Sequence, residues 1–153
     1  MITRKEILRQ LKPDPAWGGY DDWVYTKKLT TLQDAIYELH TAWDIINDFE
    51  RPTFIELAKQ IQKTPRAELP EDKMTKLEQI KNGYNDKVIK IPAFLYSDLN
   101  ESWPDQFPNN GSVLSNEYVA EDANHRLTAY ALKFLEGHSD IGKIPTEIYY
   151  GRK

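Results

Sequence analysis

The spacing of the apolar residues changes at Asn82-Gly83, and that change does most to limit the fold. Before it, apolar positions recur at three- and four-residue steps, as they do along a helix buried on one stripe. After it, they alternate or cluster in short β-branched and aromatic stretches, as strands do. With 153 residues and 40% hydrophobic content, the chain has interior enough for one core. The expected fold is α+β in a single domain, residues 1–153. A mainly helical amino-terminal half, 1–83, packs on a small mixed strand-and-helix unit, 84–153.

Four helices are predicted before the switch. Thr3 with Glu6 forms a capping box for a helix ending before Pro13, and the stretch PDPAWGGYDDW, from Pro13 to Trp23, is turn-rich. Thr30 with Gln33 opens the longest helix, along which Leu32, Ile36, Leu39, Trp43 and Ile46 make a stripe. Thr53 with Glu56 caps a third helix carrying Phe54, Leu57, Ala58 and Ile61. A fourth follows Pro70, holds Met74, Leu77 and Ile80, and stops at Asn82-Gly83.

Beyond that stop, Val88 to Tyr96 reads as a strand, with Pro92 suggesting an edge or a bulge. A polar loop from Ser97 to Ser112 is a candidate lid. A strand ending near Glu121, a helix from about His125 to Glu136 and a strand in KIPTEIYYG complete the chain.

Charge and composition remove several function classes. A net charge of -4 supplies no basic field for a phosphate backbone, so nucleic-acid binding is disfavoured. The absence of cysteine excludes disulfide scaffolds, thiolate metal sites and cysteine nucleophiles. The opening MITRKEILRQLK lacks the apolar run of a signal peptide, and no stretch reaches the roughly 20 apolar residues needed to span a bilayer. A cytoplasmic protein with no membrane partner is expected. His40 lies near the apolar stripe and is read as a packed or surface residue, and His138 as a cation near a helix end. Neither has ligand spacing to a second histidine, so zinc is not expected.

The densest polar cluster is Glu121-Asp122-Ala123-Asn124-His125-Arg126, set between a strand and a helix. A helix that begins there exposes unpaired N–H groups and the positive end of its dipole, which attract anions such as phosphate. Arg126 adds a forked pair of donors. His125 brings an imidazole, a side chain suited to proton exchange near neutral pH. Asp122 can cap the helix, act as a base or hold a metal ion, and Asn124 can orient a ligand or the loop. The plainer alternative makes Asp122 an N-cap worth ~1 kcal/mol, with His125 and Arg126 paired to nearby carboxylates.

The stretch YVAEDANHRLTAYAL, from Tyr118 to Leu132, resembles the D-G-[NH]-H-R-x-x-A signature of the ParB/sulfiredoxin superfamily. In that family a strand leads into the turn, and the following helix binds nucleotide phosphates. IPAFLY resembles the preceding strand and KIPTEIYYG the closing one, so the resemblance covers the last third to half of the chain. It implies a ParB/sulfiredoxin-like unit there. Ala123 stands where the family has glycine. Asn124 occupies the position of the sulfiredoxin cysteine, so sulfinic-acid reduction is excluded. No helix-turn-helix like that of the chromosome-segregation members is expected after the last strand.

Free-serine kinases of the superfamily use a similar Asp-His-Arg turn with ATP. The resemblance therefore implies ATP or another nucleoside triphosphate with magnesium. Asp122 would be the catalytic or metal-associated carboxylate, His125 a catalytic residue and phosphate contact, and Asn124 and Arg126 further phosphate contacts. The expected function is phosphoryl transfer or nucleotide hydrolysis. The alternative is a noncatalytic regulatory or inhibitory module, such as a phage-encoded one, that meets a protein partner through GGYDDW and ESWPDQF. Nuclease activity is a third reading, disfavoured by the acidic balance.

Overall fold

The computed structural model describes residues 2–3, 24–41, 51–95, 117–120 and 123–152. In chain order its elements are β1 (Ile2–Thr3), β2 (Val24–Thr31), α1 (Leu32–Glu38), α2 (Phe54–Lys63), α3 (Glu71–Asn82), β3 (Ile89–Leu95), β4 (Tyr118–Ala120), α4 (Asn124–Leu135) and β5 (Pro145–Arg152). Short 3-10 turns lie at Arg66–Glu68 and Ser139–Lys143. The fold is α+β, and no described helix is long and apolar enough to cross a membrane.

The β-branched and aromatic run of β5 makes it the centre of a mixed sheet ordered β1-β2-β5-β3-β4. It pairs antiparallel with all of β2, from Val24 opposite Arg152 to Thr31 opposite Pro145. On its other side it runs parallel to β3, from Ile89 opposite Thr146 to Phe94 opposite Gly151. The short β4 pairs antiparallel with Ala93–Leu95.

Strand alternation puts Ile148 and its neighbours Ile89, Ile91 and Ala93 on one face of the sheet, where they are buried in the core. Leu57 and Ile61 of α2, Leu77 of α3 and Leu32 and Ile36 of α1 join the same cluster. The middle of α4 is buried at six consecutive positions, Leu127 to Leu132, because α2 and α3 both pack against it. Burying one such Leu or Ile side chain contributes roughly 1.5–3 kcal/mol.

Local signals explain where these helices start and stop. Thr53 Oγ1 accepts from the Glu56 N–H, and the Glu56 carboxylate accepts from the Thr53 N–H, each at 3.3 Å. That reciprocal box opens α2. α3 follows Pro70 with Glu71 and Asp72 in its first turn and Lys81 in its last, complementing the helix dipole, and Gly83 ends it.

The amino-terminal half also contributes to the sheet, through the eight-residue strand β2. Two expectations are corrected. The helix expected from Thr30 past Ile46 ends at Glu38, and its N-cap is Thr31, whose hydroxyl accepts from the Asp34 N–H at 3.4 Å. Leu39 is extended, and His40 bridges Val119 in parallel and Thr53 antiparallel. These inter-strand bonds outweigh the weak helical preference of the segment. Lastly, Pro92 is not on an edge strand, since β3 lies between β5 and β4. It precedes the ladder to β4, which starts at Ala93, so its missing N–H removes no bond there.

Trp43, Ile46, the helix expected after Thr3, the turn-rich Pro13–Trp23 stretch and the Ser97–Ser112 loop lie outside the described residues.

Candidate functional site

β4 ends at Ala120 and α4 begins at Asn124, so the sequence-predicted turn is where the strand gives way to the helix. The N-cap position belongs to Ala123, one residue later than the capping role offered to Asp122. Its backbone is left-handed, with φ 65° and ψ 16°, a conformation that glycine adopts far more readily. The helix starts with the Leu127 N–H donating to the Ala123 carbonyl at 2.8 Å.

Asn124 holds the turn together. Its Nδ2 donates to the Ala120 carbonyl at 3.2 Å, and its Oδ1 accepts from the Thr41 hydroxyl at 3.2 Å. Of the two roles open to it, these contacts are those of orienting the loop. The Thr128 hydroxyl donates to the Asn124 carbonyl at 2.7 Å, which adds a side-chain bond to the first turn of α4.

Arg126 sits half-buried on that first turn, its guanidinium 5.3 Å from the centre of the Tyr130 ring. Tyr130 is itself 2% exposed, and Tyr84 meets its ring edge-on with centroids 5.5 Å apart. Lys133 lies 5.3 Å from the Tyr84 ring. Among the described residues no carboxylate forms an ion pair with Arg126, and the first turn of α4 contains no acidic residue. His125, the next residue of the turn, is likewise half-buried. Glu121 and Asp122 lie outside the described residues. Among the described residues no three His, Asp or Glu side chains group as metal ligands.

The framework behind the turn includes a residue whose part in it was not legible from sequence. His40 is packed, at 5% exposure, within the range the sequence allowed. Its backbone N–H donates to the Tyr118 carbonyl at 3.0 Å and its carbonyl accepts from the Ala120 N–H at 2.9 Å. The ring nitrogens contact the Arg51 carbonyl through Nδ1 and Glu117 Oε2 through Nε2, the latter at 2.8 Å. His40 thus joins the strand leading into the turn to the segment leading into α2. No short sequence motif links these residues, because the contacts arise from chain segments far apart.

A cavity of about 330 Å³ borders His40 and is lined by Tyr37, Glu38, Thr53, Glu117 and Tyr118. Glu38 and Tyr118 also line a second hollow of about 360 Å³, with Lys28, Tyr150 and Arg152. Glu38 accepts from the Tyr150 hydroxyl at 2.7 Å and lies 3.6 Å from Lys28. Burial, followed by the Glu38 carboxylate, pushes the Tyr150 hydroxyl above the ordinary tyrosine range.

No protein-family model, no curated protein and no solved structure matches this chain.

Proposed function

We propose that the turn from Ala120 to Arg126 binds a phosphate group of a nucleotide, and that the protein uses it for phosphoryl transfer or nucleotide hydrolysis. Arg126 carries this reading. A half-buried guanidinium resting on Tyr130, without an ion pair to any described residue, keeps its forked donors for an external anion. The acid-free start of α4 supports it with N–H groups and the positive end of the dipole. Asn124 supports it by holding the turn in place, so the donors need little reorganisation on binding.

In this reading His125 adds a second phosphate contact. Asp122, by the family resemblance, is the base or the carboxylate beside magnesium. A magnesium-bound nucleotide would supply the transferable phosphoryl group and screen its charge.

Thermal unfolding with Mg-ATP, Mg-CTP and Mg-GTP tests the proposal. Ligand at ~100 times its dissociation constant stabilises by about 2.7 kcal/mol, and Arg126→Ala should abolish that gain. Full turnover by Asp122→Asn would remove the catalytic part of the reading and leave the binding part.

Ala123 favours a second reading, a noncatalytic module that uses the fold to meet a protein. Its Cβ occupies the left-handed position where related turns have bare glycine backbone, narrowing the approach of a phosphate. Under that reading no nucleotide moves the melting temperature of either protein.

A further inference from the structure

Among the described residues, the outer edge of β2 is open over most of its length. β1 pairs only with Val24 and Tyr25, so among the described residues no strand covers Thr26–Thr31 on the side away from β5. Midway along this edge stands Leu29, 72% exposed and the most exposed large hydrophobic residue among those described. An uncovered edge bearing a central apolar side chain is a template for strand pairing. The sequence around Leu29 selects the partner.

We propose that β2 pairs antiparallel with β2 of a second copy of this chain, about a two-fold axis at Leu29. The two sheets then continue as one. A two-fold axis perpendicular to the sheet keeps equivalent faces on the same side, so paired residues must have the same parity along the strand. The register centred on Lys28 sets two ammonium groups directly opposite each other, which is repulsive. The register centred on Leu29 sets leucine against leucine, Lys28 against Thr30 and Lys27 against Thr31.

This second register also supplies charge complementarity. Thr30 donates its hydroxyl to Asp34 Oδ2 at 2.9 Å, so the residue facing Lys28 across the axis carries a carboxylate beside it. Residues directly opposite in an antiparallel pair have Cβ atoms about 4.5–5.5 Å apart, within reach of a lysine ammonium. Lys28 is half-exposed, with its own nearest carboxylate, Glu38, at 3.6 Å. Its remaining donors can meet Asp34 of the second copy. The two-fold axis makes that contact twice.

The absence of cysteine makes the register directly measurable. Opposed residues have Cα atoms within disulfide range, whereas diagonal neighbours about 7–8 Å apart fall outside it. Under mild oxidation, Leu29→Cys should cross-link to itself. Lys28→Cys alone should not, but an equal mixture of Lys28→Cys and Thr30→Cys should. In sedimentation equilibrium the unmodified protein should rise towards twice the chain mass with concentration. Leu29→Asp should remain at the single-chain mass with an unchanged circular dichroism spectrum.

Lys28→Asp should weaken association, and adding Asp34→Lys should restore it. A protein that stays single-chain throughout the series overturns the proposal. So does self-cross-linking of Lys28→Cys in preference to Leu29→Cys, or association of Leu29→Asp equal to that of the unmodified chain.

Discussion

Ala123 concentrates the conflict between local and global preference in this chain. An L-residue in the left-handed region costs about 1–2 kcal/mol, yet the turn from β4 into α4 requires that conformation here. Glycine would remove the strain and cost about 0.5–1 kcal/mol in unfolded-chain entropy. The alanine methyl also packs beside the core. Ala123→Gly should therefore stabilise by only ~0.5 kcal/mol, read as a small rise in calorimetric melting temperature.

Tyr149 sets an alkaline limit. Only 1% exposed, it donates its hydroxyl to Glu147 Oε2 at 2.9 Å. Burial first, then the Glu147 carboxylate, pushes its pKa up to about 12. Because the folded value lies above the unfolded one of about 10, the contribution is complete below pH ~10 and lost as pH rises towards 12. Tyr149→Phe should flatten that part of the stability profile, as followed by urea midpoints.

At the scale of elements, legibility tracked how locally each boundary is specified. α2 and α3 announce themselves through Thr53 with Glu56 and through Pro70 and Gly83, all within one turn of the helix end. Removing half of such a box shows its weight: Thr53→Ala should destabilise by ~1 kcal/mol in denaturant unfolding. β2 escaped because its one large apolar residue after Tyr25, Leu29, points to solvent at 72% exposure, so no alternating apolar pattern marks it. The stripe of Leu32, Ile36 and Leu39 looked continuous, since a helix and the extended residue after it can bury leucines at similar intervals. What stops α1 is pairing of His40 with Tyr118 and Ala120, and those partners are invisible from the local sequence. The candidate turn was legible because strand, polar cluster and helix are adjacent in the chain. Its support by Thr41 and His40 was not.

For the whole molecule, His40 is the joint between the two halves. His40→Ala removes a buried ring together with its contacts to the Arg51 carbonyl and the Glu117 carboxylate, and a hydrogen bond to a charged group contributes about 1.5–3 kcal/mol. A loss of ~2 kcal/mol or more is expected in chemical denaturation, with hydrogen exchange accelerating at Ala120 and Thr41 before it does in α3. The same joint connects the candidate turn to the fold, so the nucleotide stabilisation proposed above should diminish alongside.

The position of β5 bears on synthesis as well as stability. Its partners β2 and β3 lie far upstream and have no common neighbour until residues 145–152 exist. On a ribosome, α2 and α3 can form early from nearby residues, while the edge of β2 that faces β5 must wait until residues 145–152 are made. Contacts this distant in sequence slow folding and prolong exposure to wrong partners. Nascent chains stalled before Pro145 should therefore hold helices but not the joined five-stranded sheet, and recruit chaperones until the central strand emerges.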